Sequence, residues 1–182
     1  MKFTPTRLPE VVLVEPKVFE DERGSFMETW EAQKFAAAGL EARFVQDNHS
    51  VSRQWVLRGL HFQLRRPQGK LVRVIHGEVF DVAVDVRRSS PTFGQWVGMH
   101  LSAQNRRMLW VPPGFAHGFL TLSEQAEFVY KCTDFYDPAS ERTVAWNDAA
   151  VGIEWPLPQR IEPMLAEKDA SAPALSRTEC PP

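Results

Sequence analysis

The stretch QGKLVRVIHGEVFDVAVDVR, from Gln68 to Arg87, decides the fold class. It holds two runs rich in β-branched residues, one on each side of the dipeptide His76-Gly77. Runs of this kind predict β-strands, and a glycine in a two-residue break between them predicts a hairpin turn. The segment therefore predicts two consecutive antiparallel strands.

A two-residue turn at His76-Gly77 would also set the register of the two strands. Strand alternation then gives one apolar face, which we expect to be core, and one mixed face. The apolar face comprises Leu71, Ile75, Phe80, Val82 and Val84, and the other face comprises Lys70, Val72, Asp81, Ala83 and Asp85. In this register Lys70 and Asp81 are diagonal neighbours within salt-bridge reach. The mixed face fits either a pocket wall or a solvated surface with an exposed ion pair.

Similar short runs, separated by turn residues, continue from Val11 to Trp146. They are VVLVEPKVF, FVQDNHSV, KLVRVI, EVFDVAVDV, WVGMHL, RMLWVPP, GFLTL and EFVYKCTDFY. Strands that recur regularly with Gly and Pro between them are typical of sandwiches and barrels. We therefore predict an all-β sandwich or barrel, in one domain that covers residues 1–182.

Two segments depart from the strand pattern. WEAQKFAAAG predicts one short helix near Glu31 to Ala38, with Trp30 and Lys34 on one stripe and Gly39 as a natural stop. The tail after Trp155 holds six of the fourteen prolines, so we expect it to be irregular and to wrap the barrel or fray.

The bulk composition limits the classes of function. The chain has 182 residues, 43% apolar and 24% charged, with a net charge of −2, so no broad positive field favours nucleic acid or a membrane surface. No apolar run reaches the roughly 18 residues of a membrane span, and MKFTPTRLPE lacks the apolar run of a signal peptide. Two cysteines, Cys132 and Cys180, are too few for a disulfide framework. We expect a cytoplasmic protein.

The run VLRGLHFQ, from Val56 to Gln63, places two charged or titratable residues in an apolar strand. On a regular strand Arg58 and His61 would face opposite sides, so a bulge near Gly59 is needed for both to reach one pocket. A lone strand histidine is more often a hydrogen-bonded core residue than a catalyst. A neutral imidazole near arginines nevertheless suits a general base.

A metal site is the next possibility, because PPGFAHGF matches part of a cupin metal motif. Pro112, Gly114 and His117 fit that motif, but Thr121 stands where the motif has Asn. His61 is followed by Gln63 rather than by a second histidine, and no carboxylate follows closely. The likeness to the cupins implies a cupin-like jelly-roll barrel. Since catalytic metals usually have three protein ligands, we predict that its pocket has the cupin shape and holds no metal.

The chain has only two tyrosines, Tyr130 and Tyr136, in YKCTDFY. Their even spacing puts both on one face of a regular strand. Half-buried wall aromatics are the simpler interpretation, which we prefer for Tyr136. For Tyr130, the phenol is also a natural weak acid to return a proton opposite a histidine base.

Seven ordered motifs resemble those of the dTDP-4-dehydrorhamnose 3,5-epimerases. They are DERGSFMETW, FVQDNHSVS, VLRGLHFQ, QGKLVRVIHGEVFDVAVDVR, WVPPGFAHGF, YKCTDFY and LAEKDA. The likeness runs from about Arg7 to Asp169, and Phe135 is a small departure where many members have a second Tyr.

The resemblance implies a reaction and the residues that perform it. The implied substrate is dTDP-4-dehydro-6-deoxy-D-glucose, whose C4 ketone acidifies C3 and C5, and the product is dTDP-4-dehydro-L-rhamnose. His61 would be the base, Asp169 would orient it, Tyr130 would be the acid, and Lys70 would steady the enolate oxygen. No metal or cofactor is implied.

The resemblance also implies the substrate-binding residues and the assembly. Guanidinium groups of Arg23 and Arg58 would grip the pyrophosphate, and His117 would touch the sugar. The other implied ligand contacts are Glu28, Gln46, Asp47, Asn48, Glu141 and Lys168. We expect a homodimer, in which VVLVEPKVF pairs across subunits as an edge strand.

Two alternatives remain at this stage. Relatives with nearly the same barrel invert only C3 or isomerise the ketone. A non-catalytic nucleotide-sugar-binding module would keep Arg23 and Arg58 but would not need His61, Tyr130 and Asp169 together.

Overall fold

Strands dominate the chain, and the computed structural model describes all 182 residues. The strands are β1 (Lys2–Pro5), β2 (Val12–Glu15), β3 (Val18–Asp21), β4 (Gly24–Met27), β5 (Gln46–Arg53), β6 (Leu57–Gln63), β7 (Lys70–His76), β8 (Glu78–Asp85), β9 (Trp96–Ser102), β10 (Met108–Val111), β11 (Phe115–Thr121), β12 (Gln125–Cys132) and β13 (Glu141–Thr143). The helices are α1 (Ala32–Ala37) and α2 (Glu167–Ala170), and a single 3₁₀ turn covers Leu175–Arg177.

The strands form two main antiparallel sheets that face each other. The six-stranded sheet has the order β1-β2-β10-β7-β12-β5, and the five-stranded sheet has the order β13-β6-β11-β8-β9. From β5 to β8 and from β9 to β13 the chain crosses between the sheets at every connection, which is the jelly-roll arrangement. The predicted fold class, a cupin-like jelly-roll barrel, is confirmed.

The register predicted for the hairpin at Gly77 is wrong, because β7 and β8 do not pair. β7 pairs with β10 and β12, whereas β8 pairs with β11 and β9. Gly77 (φ +74°) is the corner at which the chain leaves one sheet for the other, and a Cβ there would lie 2.1 Å from the Gln125 carbonyl oxygen. Alternation along a strand has the same period whatever its partner, so the pattern did not reveal the change of sheet.

The two faces of β7 and β8 are also distributed differently from the prediction. The face that we expected to be core points outward from each sheet: Leu71 packs under α1, and Phe80 packs under the C-terminal tail. Ile75, on the same predicted face, is 40% exposed. The mixed face, with Lys70 and Asp81, lines the interior between the sheets, and no ion pair within 4 Å joins these two residues.

The short N-terminal helix is confirmed over Ala32–Ala37. The Glu31 carboxylate accepts hydrogen bonds from the first backbone N–H groups, and Gly39 (φ +79°) follows the last turn. Its buried side chain is Phe35, which packs 4.4 Å from the Trp30 ring, whereas Lys34 on the predicted stripe is exposed. The helix therefore covers the outer face of the six-stranded sheet.

The segment VVLVEPKVF is divided between β2, which is not an edge strand, and the start of β3, which pairs with β4 alone and keeps a free edge, so its pairing across subunits stays a prediction. β2 lies between β1 and β10, and β3 turns back on β4 as a separate two-stranded hairpin. This hairpin exposes two aromatic rings, Phe19 (52%) and Phe26 (70%).

No helix in the chain combines the length and apolar character that crossing a membrane would require.

The C-terminal tail wraps the barrel rather than fraying. Val151 and Leu175 are buried against the outer face of the five-stranded sheet, and the backbone N–H of Leu175 donates to the Asp148 carboxylate. The tail is not wholly irregular, because α2 forms within it and brings Asp169 to the barrel.

Candidate active site

A cavity of about 390 Å³ opens between the two sheets. Ten residues that the sequence predicted for the site line it: Gln46, Asn48, Arg58, His61, Lys70, His117, Tyr130, Glu141, Lys168 and Asp169. They come from six strands and from α2, so only the folded barrel brings them together.

The His61 ring is held by a carboxylate from the tail. Its Nε2 donates to Asp169 Oδ1 at 2.6 Å, and Asp169 is only 3% exposed while His61 is 26% exposed at the cavity. This bond places the proton of the neutral imidazole on Nε2 and leaves Nδ1 as the nitrogen that can accept a proton. The pair is therefore a base with an orienting partner.

The predicted bulge at Gly59 is present and gives Arg58 and His61 a common face. His117 pairs with His61 and Phe119 pairs with Arg58, so β6 holds one more residue than β11 between the two pairs. A Cβ on Gly59 would lie 2.6 Å from the Cα of Gly118, so only glycine allows this close approach. Arg58 Nε donates to Ser52 Oγ at 3.0 Å, which directs the guanidinium along β5 at the cavity.

Tyr130 faces the cavity from β12, between Asn48 on β5 and Val72 on β7. Its hydroxyl makes no hydrogen bond to a protein group, and burial raises its pKa to about 12. The phenol is therefore a protonated, unengaged donor at neutral pH.

Lys70 lies in the next cross-strand row, beside Cys132. Its side chain is buried and its ammonium has no hydrogen-bond acceptor in the protein. Burial lowers the pKa of Lys70, and the nearby groups of Cys132, Glu141 and Asp81 act in the opposite direction. A buried ammonium without a partner is suited to a negative charge that develops on a ligand.

A second histidine–carboxylate pair lies deeper in the cavity. His117 Nε2 is 2.9 and 3.1 Å from the two carboxylate oxygens of Asp81. Both side chains are almost fully enclosed, and Asp81 has no measurable exposure. The sequence indicated Asp81 only through its position opposite Lys70 and not as a partner of His117.

The mouth of the cavity is polar and partly cross-linked. Glu141 accepts from Lys168 Nζ at 3.0 Å and from the Tyr136 hydroxyl at 3.2 Å. Gln46 Nε2 donates to Asn48 Oδ1 at 3.1 Å. Tyr136 thus lines the cavity, although it lies beyond the end of β12 and is 51% exposed.

Sequence reasoning missed several residues that line the cavity, namely Ser50, Phe62, Gln63, Gln68, Phe119, Phe128, Tyr136 and Ala166. Period-two alternation from Asn48 would have indicated Ser50, and alternation from Tyr130 would have indicated Phe128. Gln63 stands where cupins have a metal ligand, but here its side chain holds the neighbouring loop through the Arg66 carbonyl and the Asp137 N–H.

Three predicted binding residues do not line the cavity of their own chain. Arg23 is at the turn of the β3–β4 hairpin, where it pairs with Asp21 and has a 90% exposed side chain. Glu28 follows that hairpin and pairs with Lys34. Asp47 points to the opposite face of β5 from Asn48 and pairs with Lys131, as strand alternation requires.

Fold and site together define the class: a jelly-roll barrel of the cupin type whose interior carries acid–base groups suited to moving protons on carbon. The chain belongs to the dTDP-4-dehydrorhamnose 3,5-epimerase family, whose model matches residues 5–177. It is therefore an isomerase of the epimerase class.

Individual relatives agree with the family match. The chain is 60% identical to the dTDP-4-dehydrorhamnose 3,5-epimerase of Salmonella typhimurium over 94% of both chains. It is 56% identical to that of Pseudomonas aeruginosa over the whole of both chains. A similar solved structure is the dTDP-6-deoxy-D-glucose-3,5-epimerase of Legionella pneumophila in complex with dTDP-4-keto-L-rhamnose, with a TM-score of 0.94, 49% identity, and coverage of 99% of this chain and 97% of that one.

Proposed function

We propose that the cavity converts dTDP-4-dehydro-6-deoxy-D-glucose to dTDP-4-dehydro-L-rhamnose by inverting C3 and C5. The observation that carries this proposal is the His61–Asp169 pair, which shares one cavity with the free Tyr130 hydroxyl and the unpartnered Lys70 ammonium. The complex of the Legionella pneumophila relative with dTDP-4-keto-L-rhamnose supports the choice of sugar.

The proposed reaction moves one proton off and one proton onto each carbon. His61 Nδ1 removes the proton next to the ketone, and the C–H electron pair becomes an enolate with its charge on the C4 oxygen. Lys70 stabilises that oxygen, and Asp169 stabilises the imidazolium. Tyr130 then donates its proton to the opposite face of the carbon, and proton exchange with solvent returns the imidazolium and the tyrosinate to their starting states before the second carbon reacts. Each proton-transfer group contributes roughly 10²–10⁴-fold in rate.

Substrate binding is assigned to the polar groups around the mouth. Arg58 holds the pyrophosphate, because its planar guanidinium matches phosphate oxygens. Gln46 and Asn48 meet the nucleoside end, Glu141 and Lys168 lie at the ligand, and His117 contacts the sugar.

We also propose a homodimer in which the β3–β4 hairpin reaches the partner's cavity. Phe19 and Phe26 are exposed on this hairpin, and exposed aromatic pairs mark interaction surfaces. Arg23 and Glu28, which do not line the cavity of their own chain, would meet the ligand in the partner subunit. We expect the enzyme to act in the cytoplasm.

The test is incubation with the 4-keto sugar nucleotide in heavy water, followed by NMR of the sugar. Deuterium at both C3 and C5 is the expected result. Deuterium at C3 alone would identify a 3-epimerase, and none would identify a binding module. The His61→Ala variant should abolish exchange at both carbons, whereas His100→Ala, a change at an exposed histidine on β9, should leave it intact.

A further inference from the structure

Asp81 is a fully buried carboxylate for which the proposed mechanism has no role. It faces the interior from β8, in register with Phe119 on one neighbouring strand and Met99 on the other. Lys70 faces the same interior from β7 in the opposite sheet. Both groups therefore point into the same interior, and the charge of each acts on the other.

The contacts of Asp81 are few for a buried carboxylate. Both oxygens face the Nε2 of His117, and no backbone N–H, arginine or lysine lies within bonding distance of them. Burial raises the pKa of Asp81 above its ordinary value, and the nearby His117 and Lys70 reduce that rise without reversing it. A buried carboxylate whose one contact is a histidine ring is stabilised by a positive charge nearby.

The negative groups that face Lys70 can be ranked by what else they bind. Cys132 is its cross-strand neighbour, but burial raises the pKa of this thiol, so it stays neutral. Glu141, at the mouth on β13, already pairs with Lys168. Of the remaining groups around the cavity, Asp169 binds His61, and Arg58 and Tyr130 bring no negative charge at neutral pH. Asp81 also has a histidine as its partner, but unlike Asp169 it is one of the groups whose charge acts on Lys70.

We propose that Asp81 is a positioning residue, the counter-charge that keeps the Lys70 ammonium protonated while it fixes the His117 ring with Nε2 turned away from the ligand. The inference rests on the proposed role of Lys70 at the enolate oxygen. Because the enolate needs a cation, the Asp81 charge sets the alkaline limit of the reaction.

The first test is the pH dependence of Lys70 acetylation by acetic anhydride, followed by peptide mass spectrometry without any substrate. In Asp81→Asn the amide oxygen can still accept from His117, so the variant removes the charge and keeps the shape. We expect the pKa of Lys70 to fall by on the order of one unit, because a negative charge that raises it is lost. Glu127→Gln, which removes an equal charge from the outer face of β12, should not change it.

The second readout is the pH profile of kcat/KM for the epimerisation. Its alkaline limb should move to lower pH in Asp81→Asn by the same amount, while the rate near pH 7 changes little. Asp81→Ala removes the same charge and also the hydrogen-bond acceptor of His117. It should therefore move the alkaline limb as far as Asp81→Asn does and also raise KM. If the chain has no epimerase activity, the labelling result still tests the charge pairing by itself.

An unchanged Lys70 pKa in a folded Asp81→Asn or Asp81→Ala protein would overturn the proposal. A rise in the pKa of Lys70 in either variant would overturn it as well. If both variants failed to fold, labelling of the unaltered protein would decide: the proposal requires Lys70 to remain protonated at pH 7, and a midpoint below that pH would contradict it.

Discussion

At the residue scale, the site depends on pairs of side chains that are remote in the chain. His61 and Asp169 are 108 residues apart, and His117 and Asp81 are 36 apart, yet each pair is within hydrogen-bond distance. Two imidazoles in register on neighbouring strands thus have separate carboxylates. This separation gives His61 an orientation that does not depend on the deeper pair.

Tyr130→Phe should separate proton removal from inversion. Removal and return on the base's own face need no phenol, so solvent deuterium should still exchange into the substrate. Inversion should slow by about 10²–10⁴-fold, since delivery to the far face loses its acid. Stability should change by less than about 1 kcal/mol, because the lost hydroxyl has no protein partner. Inversion of both carbons at the parental rate would refute the assignment, and NMR of exchange and of product is the measurement.

Asp85→Asn should destabilise the fold in a pH-dependent way. Burial alone would raise the pKa of Asp85, but hydrogen bonds from Arg87, Ser90 and Thr92 outweigh it and bring the pKa down to about 2. A lowered folded-state pKa contributes stability above the unfolded value near 4, and that stability is lost as pH falls towards 2. The variant should therefore be less stable by about 2 kcal/mol at pH 7, with a difference that shrinks below about pH 4.

Urea unfolding at pH 7, 5 and 3 measures this difference. Glu127→Gln, at an exposed carboxylate, is the control and should change stability little at any of these values. If the loss of stability in Asp85→Asn did not change with pH, the network would stabilise the fold through packing and not through the Asp85 charge.

At the element scale, the bulge in β6 decides which side chains reach the cavity. Gly59 (φ +123°) lets this strand approach the Gly118 backbone and turns Arg58 to the same side as His61. One glycine thus lets a single strand carry both the proposed base and the arginine that we propose binds the pyrophosphate.

Gly59→Ala should destabilise the protein by about 2–5 kcal/mol, because the new Cβ meets backbone atoms at 2.6 and 2.8 Å. Gly24→Ala is a matched control: its φ of +126° is similar, but a Cβ there meets nothing within 4 Å. This variant should lose only the stability that an alanine at positive φ costs, about 1–2 kcal/mol. Chemical denaturation compares the two, and equal losses would contradict a steric role for the close approach.

At the scale of the whole molecule, the β3–β4 hairpin stands apart from both sheets and exposes aromatic rings. A dimer in which it covers the partner should have twice the 20.8 kDa mass of one chain by light scattering. Replacing Phe19 and Phe26 by Ser should favour the monomer without unfolding the barrel, since neither ring belongs to a buried cluster.

Co-expression of Arg23→Ala with His61→Ala tests whether Arg23 acts in the partner's cavity. In the mixed dimer one cavity would then carry both defects and the other would be intact, so about a quarter of all sites should recover. If Arg23 acted in its own cavity, each site of the mixed dimer would keep one defect, and activity would not return.

Much of the architecture was readable from local pattern. Period-two runs predicted the strands, WEAQKFAAAG predicted α1, and the Arg58–Gly59–His61 spacing required the bulge that β6 contains. These features depend on neighbours within a few residues, where backbone sterics and side-chain alternation act directly. Motif resemblance also identified ten of the residues that line the cavity.

Only the tertiary structure decided how those parts combine. Alternation in β7 and β8 is compatible with a hairpin, but a corner at Gly77 puts the strands in opposite sheets and turns Lys70 and Asp81 inward. The outer faces are equally apolar because α1 and the tail cover them, so hydrophobic pattern could not tell inside from outside. Pairings such as His61 with Asp169 depend on how the tail wraps a closed barrel, and periodicity along a strand carries no information about contacts so distant in the chain.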